Sequence, residues 1–66
     1  MFIKINGKKE EVKPKTNLNE LVASMKLCAE KIVIEHNFRI VSKEKWEQVL
    51  LKESDNIEIV SFVGGG

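Results

Sequence analysis

With a single cysteine, Cys28, and a single histidine, His36, the 66-residue chain cannot close an intramolecular disulfide and has no Cys/His cluster to hold a metal. That usage suits a reducing compartment, and the expected setting is cytoplasmic. Charge of one sign is also scarce. Eleven basic side chains against ten acidic leave a net +1, too little field to hold a phosphate backbone or an anionic membrane. Nucleic acid and membrane are therefore set aside as partners. No apolar stretch is long enough for a bilayer, and the N-terminus opens on a strand pattern in place of a basic segment and apolar signal core. Repeats, linkers and low-complexity tracts are absent. No Ser, Cys or acid stands beside His36 in an identifiable motif, so it reads as a surface or turn residue. The chain offers no general base, metal or oxyanion hole of its own.

What is present suffices for one compact core. Leu, Ile, Val and Phe make up 22 of the 66 residues, which places the chain among folded domains near the lower size limit for unaided folding. Phe2-Ile3-Lys4-Ile5 alternates as a strand. Asn6-Gly7 then supplies the two positive-φ positions of a tight hairpin turn. The second arm, about Lys9 to Lys13, is charged and closed by Pro14, as an exposed edge strand is; its Lys8-Lys9 and Glu10-Glu11 pairs read as a solvated hairpin.

Asn17 followed by Glu20 has the spacing of a capping box. Leu18, Leu21, Val22 and Met25 fall at i, i+3, i+4 and i+7, predicting an amphipathic helix over 18–26 whose stripe packs on a sheet. Cys28, at the helix exit, reads as a small buried hydrophobe. Lys31-Ile32-Val33-Ile34-Glu35 predicts a buried middle strand. After His36-Asn37 and Arg39-Ile40-Val41, Ser42 is placed to cap a short helical turn over Lys43 to Trp46, with the Trp46 ring over the sheet edge. Val49-Leu50-Leu51 predicts the fourth strand, Glu53 to Asn56 a polar turn, and 57–63 the last strand.

The order β, β, α, β, β, β predicts an α+β fold, a ubiquitin-like β-grasp. It has a mixed sheet of about five strands crossed by one main helix, with the first and last strands as parallel neighbours. One domain spans 1–66, with a folded body over 1–63 and a flexible tail over 64–66. Alternation puts Ile57, Ile59, Ser61 and Val63 on one face of the last strand and Glu58, Val60 and Phe62 on the other. Val60 and Phe62 then either form an exposed docking patch beside the tail, or Phe62 folds into a minor core under the Lys43 to Trp46 turn. Gly64-Gly65-Gly66 puts a carboxylate on a stalk without side chains, able to thread a channel closed to any other residue.

Ile40-Val41, Glu44, Trp46 and the run Asp55-x-Ile57-Glu58-Ile59-Val60-x-Phe62-Val63-Gly64-Gly65-Gly66, with the hairpin and the Asn17-x-x-Glu20-Leu21 helix start, carry a family resemblance over nearly the whole chain. The sequence resembles the ThiS family, the sulfur carriers of thiamine biosynthesis, within the wider group that includes the molybdopterin synthase small subunit. Its departures fall in turns: Ser42 stands where proline is frequent, Phe38 follows Asn37 where glycine is usual, and Ser54 replaces a common glycine.

The resemblance implies a protein substrate in place of an enzyme, binding no cofactor itself. A ThiF-type adenylating enzyme would use ATP and Mg²⁺ to form an acyl-adenylate on Gly66. A cysteine desulfurase or persulfide relay would convert it to a thiocarboxylate, and a ThiG-type thiazole synthase would receive the sulfur. Gly64 and Gly65 would thread the partners' active sites, with Val60 and Phe62 as the partner-binding patch. A monomer with transient complexes is expected. Alternative readings are a molybdopterin-synthase-type carrier, whose tail usually has prolines ahead of the glycines, a ubiquitin-like conjugating modifier, and an interaction module whose glycines are an inert end.

Overall fold

The computed structural model describes residues 1–62. Val63 to Gly66 lie outside the described residues, and with them the expected tail; the last strand, expected over 57–63, runs over Asn56–Ser61 and ends before Phe62. Strands β1 (Phe2–Ile5), β2 (Lys8–Glu11), β3 (Ile32–His36), β4 (Arg39–Val41) and β5 (Asn56–Ser61) form one sheet in the order β2-β1-β5-β3-β4. Helix α1 (Leu18–Ser24) packs across it, and 3₁₀ turns span Ala29–Lys31 and Lys43–Gln48. β1 and β5 are parallel, while the other described pairings are antiparallel. This is the β-grasp arrangement.

Local chemistry accounts for each element. Asn6 and Gly7 take φ of 51° and 83°, the two left-handed positions of the hairpin turn. β2 is exposed at all four positions, as an edge strand with charged side chains should be. The capping box at α1 is complete: Glu20 N–H donates to Asn17 Oδ1 at 2.8 Å and Asn17 N–H to Glu20 Oε1 at 2.9 Å.

The helix stops at Ser24, short of residue 26, because Lys26 enters the left-handed region at φ 58°. Lys26 N–H then donates to the Ala23 carbonyl and Leu27 N–H to that of Val22, a Schellman closure that folds Leu27 back on the core. Met25 is consequently exposed and drops out of the predicted stripe.

Three further expectations are corrected. The fourth strand is Arg39–Val41, because Asn37 and Phe38 both adopt positive φ (51° and 70°) and turn the chain straight back along β3. Val49-Leu50-Leu51 stays outside the sheet. It lies against the entry to α1, with one bridge from Leu50 to Asn17 and the bonds Leu18 N–H to Val49 O and Leu51 N–H to Thr16 O. The turn after Ser42 runs to Gln48, and Ser42 occupies its cap position without a side-chain capping bond. Cys28 is exposed, since it sits just ahead of the Ala29–Lys31 turn, beyond the helix face that meets the core.

The core gathers Ile3 and Ile5 from β1, Leu18, Leu21 and Val22 from α1, Ile32 and Ile34 from β3, Leu51, Ile57 of β5, and Trp46. Trp46 meets β4, the edge strand of the sheet, as its sequence reading expected. It is fully buried, with its indole N–H donating to the Val41 carbonyl at 3.0 Å, so the Lys43–Gln48 turn is pinned as the lid of the core. Among the described residues no helix is long and apolar enough to cross a membrane.

Two substitutions test this account of the turns. Phe38→Gly relieves a bulky residue held at φ 70° and is expected to raise stability by about 1 kcal/mol, near 5 °C in Tm. Asn6→Gly keeps the turn but loses the amide bonds Asn6 makes to both backbone groups of Ile59, and is expected to cost about 1 kcal/mol. Thermal unfolding followed by circular dichroism measures both.

Candidate functional site

The candidate site lies along β5, the last described strand, from which the sequence runs on to the glycines. β1 holds one edge through Lys4 N–H to Asp55 O at 2.9 Å and Asn6 N–H to Ile57 O at 2.8 Å. Past the end of β1, the Asn6 side chain continues the pairing. Its amide donates to Ile59 O at 3.2 Å, and its carbonyl accepts from Ile59 N–H at 2.7 Å. β3 holds the other edge through five residue pairs, from Ile32 opposite Ser61 to His36 opposite Ile57. One more bond, Phe62 N–H to Lys31 O at 2.9 Å, prolongs this ladder to the last described residue.

Ile57 and Ile59 face α1, leaving Glu58, Val60 and Phe62 on the open side of the sheet. Val60 is 57% and Phe62 47% exposed, which decides between the two sequence readings: Phe62 is not in a minor core under the Trp46 turn. Val33 stands directly opposite Val60, and Ile40, opposite Glu35, is 70% exposed. The sequence reading named Val60 and Phe62 but missed Val33 and Ile40, which join them only through strand register. Gly64, Gly65 and Gly66 lie outside the described residues.

The start of β5 is fixed by a polar knot that sequence reasoning also missed. Asp55 is buried and accepts from four directions' worth of chain: His36 Nε2 at 2.9 Å, Asn37 Nδ2 at 3.1 Å and Lys52 N–H at 2.9 Å reach its carboxylate, and Lys4 N–H reaches its backbone carbonyl. In the first bond the imidazole donates, because an ionised carboxylate only accepts. Asn37 also bonds Asn56, with Asn37 Oδ1 accepting from Asn56 N–H at 2.8 Å. His36 is thus paired with an acid 19 positions away, contrary to its reading as an isolated surface or turn residue. Position alone could not show this, because the partner arrives through the β3–β5 pairing.

Burial acts to raise the Asp55 pKa, but the bonds from His36, Asn37 and the Lys52 amide, with the His36 charge, outweigh it and hold the carboxyl below its ordinary value. The knot is structural: it lies where β5 begins, at the opposite end of that strand from the tail. Among the described residues no group of three His, Cys, Asp or Glu is disposed to hold a metal.

The ThiS family pattern matches residues 3–66. The chain is 40% identical to the sulfur carrier protein ThiS of Bacillus subtilis, over 98% of this chain and all of that protein. Its fold superimposes on the crystal structure of the thiamine biosynthesis protein ThiS from Geobacter metallireducens with a TM-score of 0.87 at 30% identity, covering the whole of both chains. It is also 36% identical, along its full length, to part of a thiazole synthase of Magnetococcus marinus, where it spans 20% of the larger protein.

Asp55 supplies a pH test. Its folded pKa lies below the unfolded value, so the knot contributes fully above the ordinary carboxylate range, about pH 4, and that contribution fades as pH falls through the lower folded value. Asp55→Asn is expected to cost about 1–3 kcal/mol at pH 7 and progressively less below about pH 4, as read by urea unfolding across pH.

A strand bonded on both edges, an exposed apolar column leading to the glycines, and a match in sequence and fold along the full chain give one conclusion: the chain belongs to the ThiS family, the sulfur carrier proteins of thiamine biosynthesis.

Proposed function

We propose that the carboxyl group of Gly66 is the working group of this carrier. A carboxylate resists nucleophiles because its charge is delocalised and it has no good leaving group. Adenylation by a ThiF-type enzyme with ATP and Mg²⁺ releases pyrophosphate and makes AMP the leaving group. The terminal sulfur of a persulfide, derived from cysteine through a desulfurase or relay, displaces AMP. Cleavage of the resulting acyl disulfide by a thiol leaves the thiocarboxylate, whose sulfur a ThiG-type thiazole synthase takes into the thiazole ring. The single cysteine fits a cytoplasmic carrier.

The observation that carries this reading is the family match extending through Gly66, on a body that exposes Val60 of the last strand and Phe62 just beyond it, a short way ahead of the glycines. Gly64 and Gly65 would thread the partner's channel, where a Cβ would obstruct approach to the acyl carbon. Ordering that tail costs entropy, which contacts at Val60 and Phe62 would offset. A thiazole-synthase partner is supported by relatives named thiazole synthase, from Magnetococcus marinus and Paramagnetospirillum magneticum, in which a segment similar to this chain is part of the same polypeptide.

Intact-mass analysis of protein isolated from its own cell is expected to show a gain of about 16 Da from exchange of oxygen for sulfur at the terminal carboxylate. Larger adducts on other proteins would instead mark a conjugating modifier, and an unchanged mass an inert module. Deletion of Gly66 is expected to abolish ATP-dependent AMP attachment with Tm unchanged. Attachment retained by the deletion variant would refute the site.

A further inference from the structure

The Asn6-Gly7 turn carries a chemistry that neither chain reversal nor the proposed function uses. The backbone nitrogen that follows an asparagine can attack the side-chain carboxamide, and glycine shields that nitrogen least because it has no Cβ. Asn6 and Gly7 are both exposed. Apart from the chain neighbours, no atom lies within 4 Å of the place a Gly7 Cβ would take, so the attacking nitrogen is open. No other asparagine is so placed: Asn17, Asn19, Asn37 and Asn56 are followed by Leu18, Glu20, Phe38 and Ile57, each with a side chain beside the nitrogen concerned.

The same carboxamide is held from across the sheet. Its nitrogen donates to Ile59 O at 3.2 Å and its oxygen accepts from Ile59 N–H at 2.7 Å, so both polar atoms are committed to β5. Attack by Gly7 N turns the planar amide carbon tetrahedral and folds the side chain into a ring with its own main chain. The paired bonds to Ile59 do not survive that change. Reaction therefore waits on a local opening in which Ile59 lets go of the turn.

We infer that Asn6 is a self-modification site, a deamidation centre gated by its bonds to Ile59. Gly7 N attacks Asn6 Cγ, the Cγ–Nδ2 bond breaks, and the amide nitrogen leaves as ammonia with the proton that Gly7 N gives up. Water then opens the cyclic imide at either carbonyl. Position 6 becomes an aspartyl residue or, with the main chain rerouted through Cγ, an isoaspartyl residue, and no oxidation or reduction is involved. A carboxylate has no N–H for Ile59 O, and the rerouted chain also withdraws the acceptor from Ile59 N–H. The β1 side of β5 is then released beyond Ile57, while the β3 ladder from Ile32–Ser61 to His36–Ile57 stays paired. None of this depends on the role proposed for Gly66.

The test incubates the full chain in mildly alkaline buffer, folded and in denaturing urea, and follows both by peptide mass mapping. The peptide that holds Asn6 is expected to gain about 1 Da, ahead of every other asparagine. In the folded protein the gain should be slower by about tenfold or more, as the two bonds to be released imply. N-terminal sequencing of the isoaspartyl product should halt at residue 6. In that product, still folded, hydrogen exchange should quicken at the Ile59 amide and stay unchanged at the Lys4 amide, whose bond to Asp55 O lies at the other end of β5. No gain at Asn6 in the unfolded chain, or an earlier gain at another asparagine, overturns the site. Equal rates in the folded and unfolded chain overturn the gate, and unaltered exchange at Ile59 overturns the link to β5.

Discussion

The structure depends on β5 being held along both edges. A terminal strand bonded on one side only would present a free edge, with unpaired N–H and C=O groups open to other chains. Here β1 runs parallel on one side and β3 antiparallel on the other, so the strand is an interior one although it comes last in the described sequence. Its inward residues Ile57 and Ile59 join the core under α1 and Trp46, and its outward residues are released to the open face. The strand is thereby fixed in the sheet while Val60 on its outward face stays exposed.

Two side-chain devices make that central placement possible. Because β1 is only four residues long, its backbone cannot follow β5 to the end, and the Asn6 amide stands in for the missing residue by bonding both backbone groups of Ile59. At the other end, Asp55 draws together His36, Asn37 and Lys52 and fixes where β5 starts. Each device couples a turn to the strand. The hairpin turn at Asn6 and the turn at Asn37 are therefore part of how β5 is registered, beyond their role in reversing the chain.

Energetically the polar and apolar parts divide the labour. Full burial of each large apolar side chain contributes about 1.5–3 kcal/mol, and ten such residues form the core. Those contacts exclude one-residue slips, which would turn the apolar set outward, but distinguish shifts by two residues less sharply. The directional bonds of Asn6, Asp55 and the Trp46 indole select one register. The outward column then follows without further cost: once Ile57 and Ile59 are inward, Glu58, Val60 and Phe62 can only be outward.

Much of this was legible in the residues themselves. The Asn6-Gly7 turn, the capping box at Asn17 and Glu20, and the alternation of β1 and β5 are local signals, because the physics behind them acts within a few positions. The same alternation put Val60 and Phe62 on one face, but only the fold showed Phe62 to be exposed. Elsewhere the deciding partner was distant. Arg39–Val41 became the fourth strand because Phe38 was driven to positive φ by the tight return along β3, against its own preference. Val49–Leu51 had strand composition but was claimed by the entry to α1. His36 acquired its acid, and Glu35 its like-charged neighbour, only when β3 was laid beside β5. The sequence by itself determined the hairpin, the main helix, the central strands and the apolar inside, since these rest on short-range periodicity and backbone freedom. Tertiary structure alone decided which polar groups meet, because register across non-adjacent strands is set by core packing together with the directional bonds of Asn6, Asp55 and Trp46.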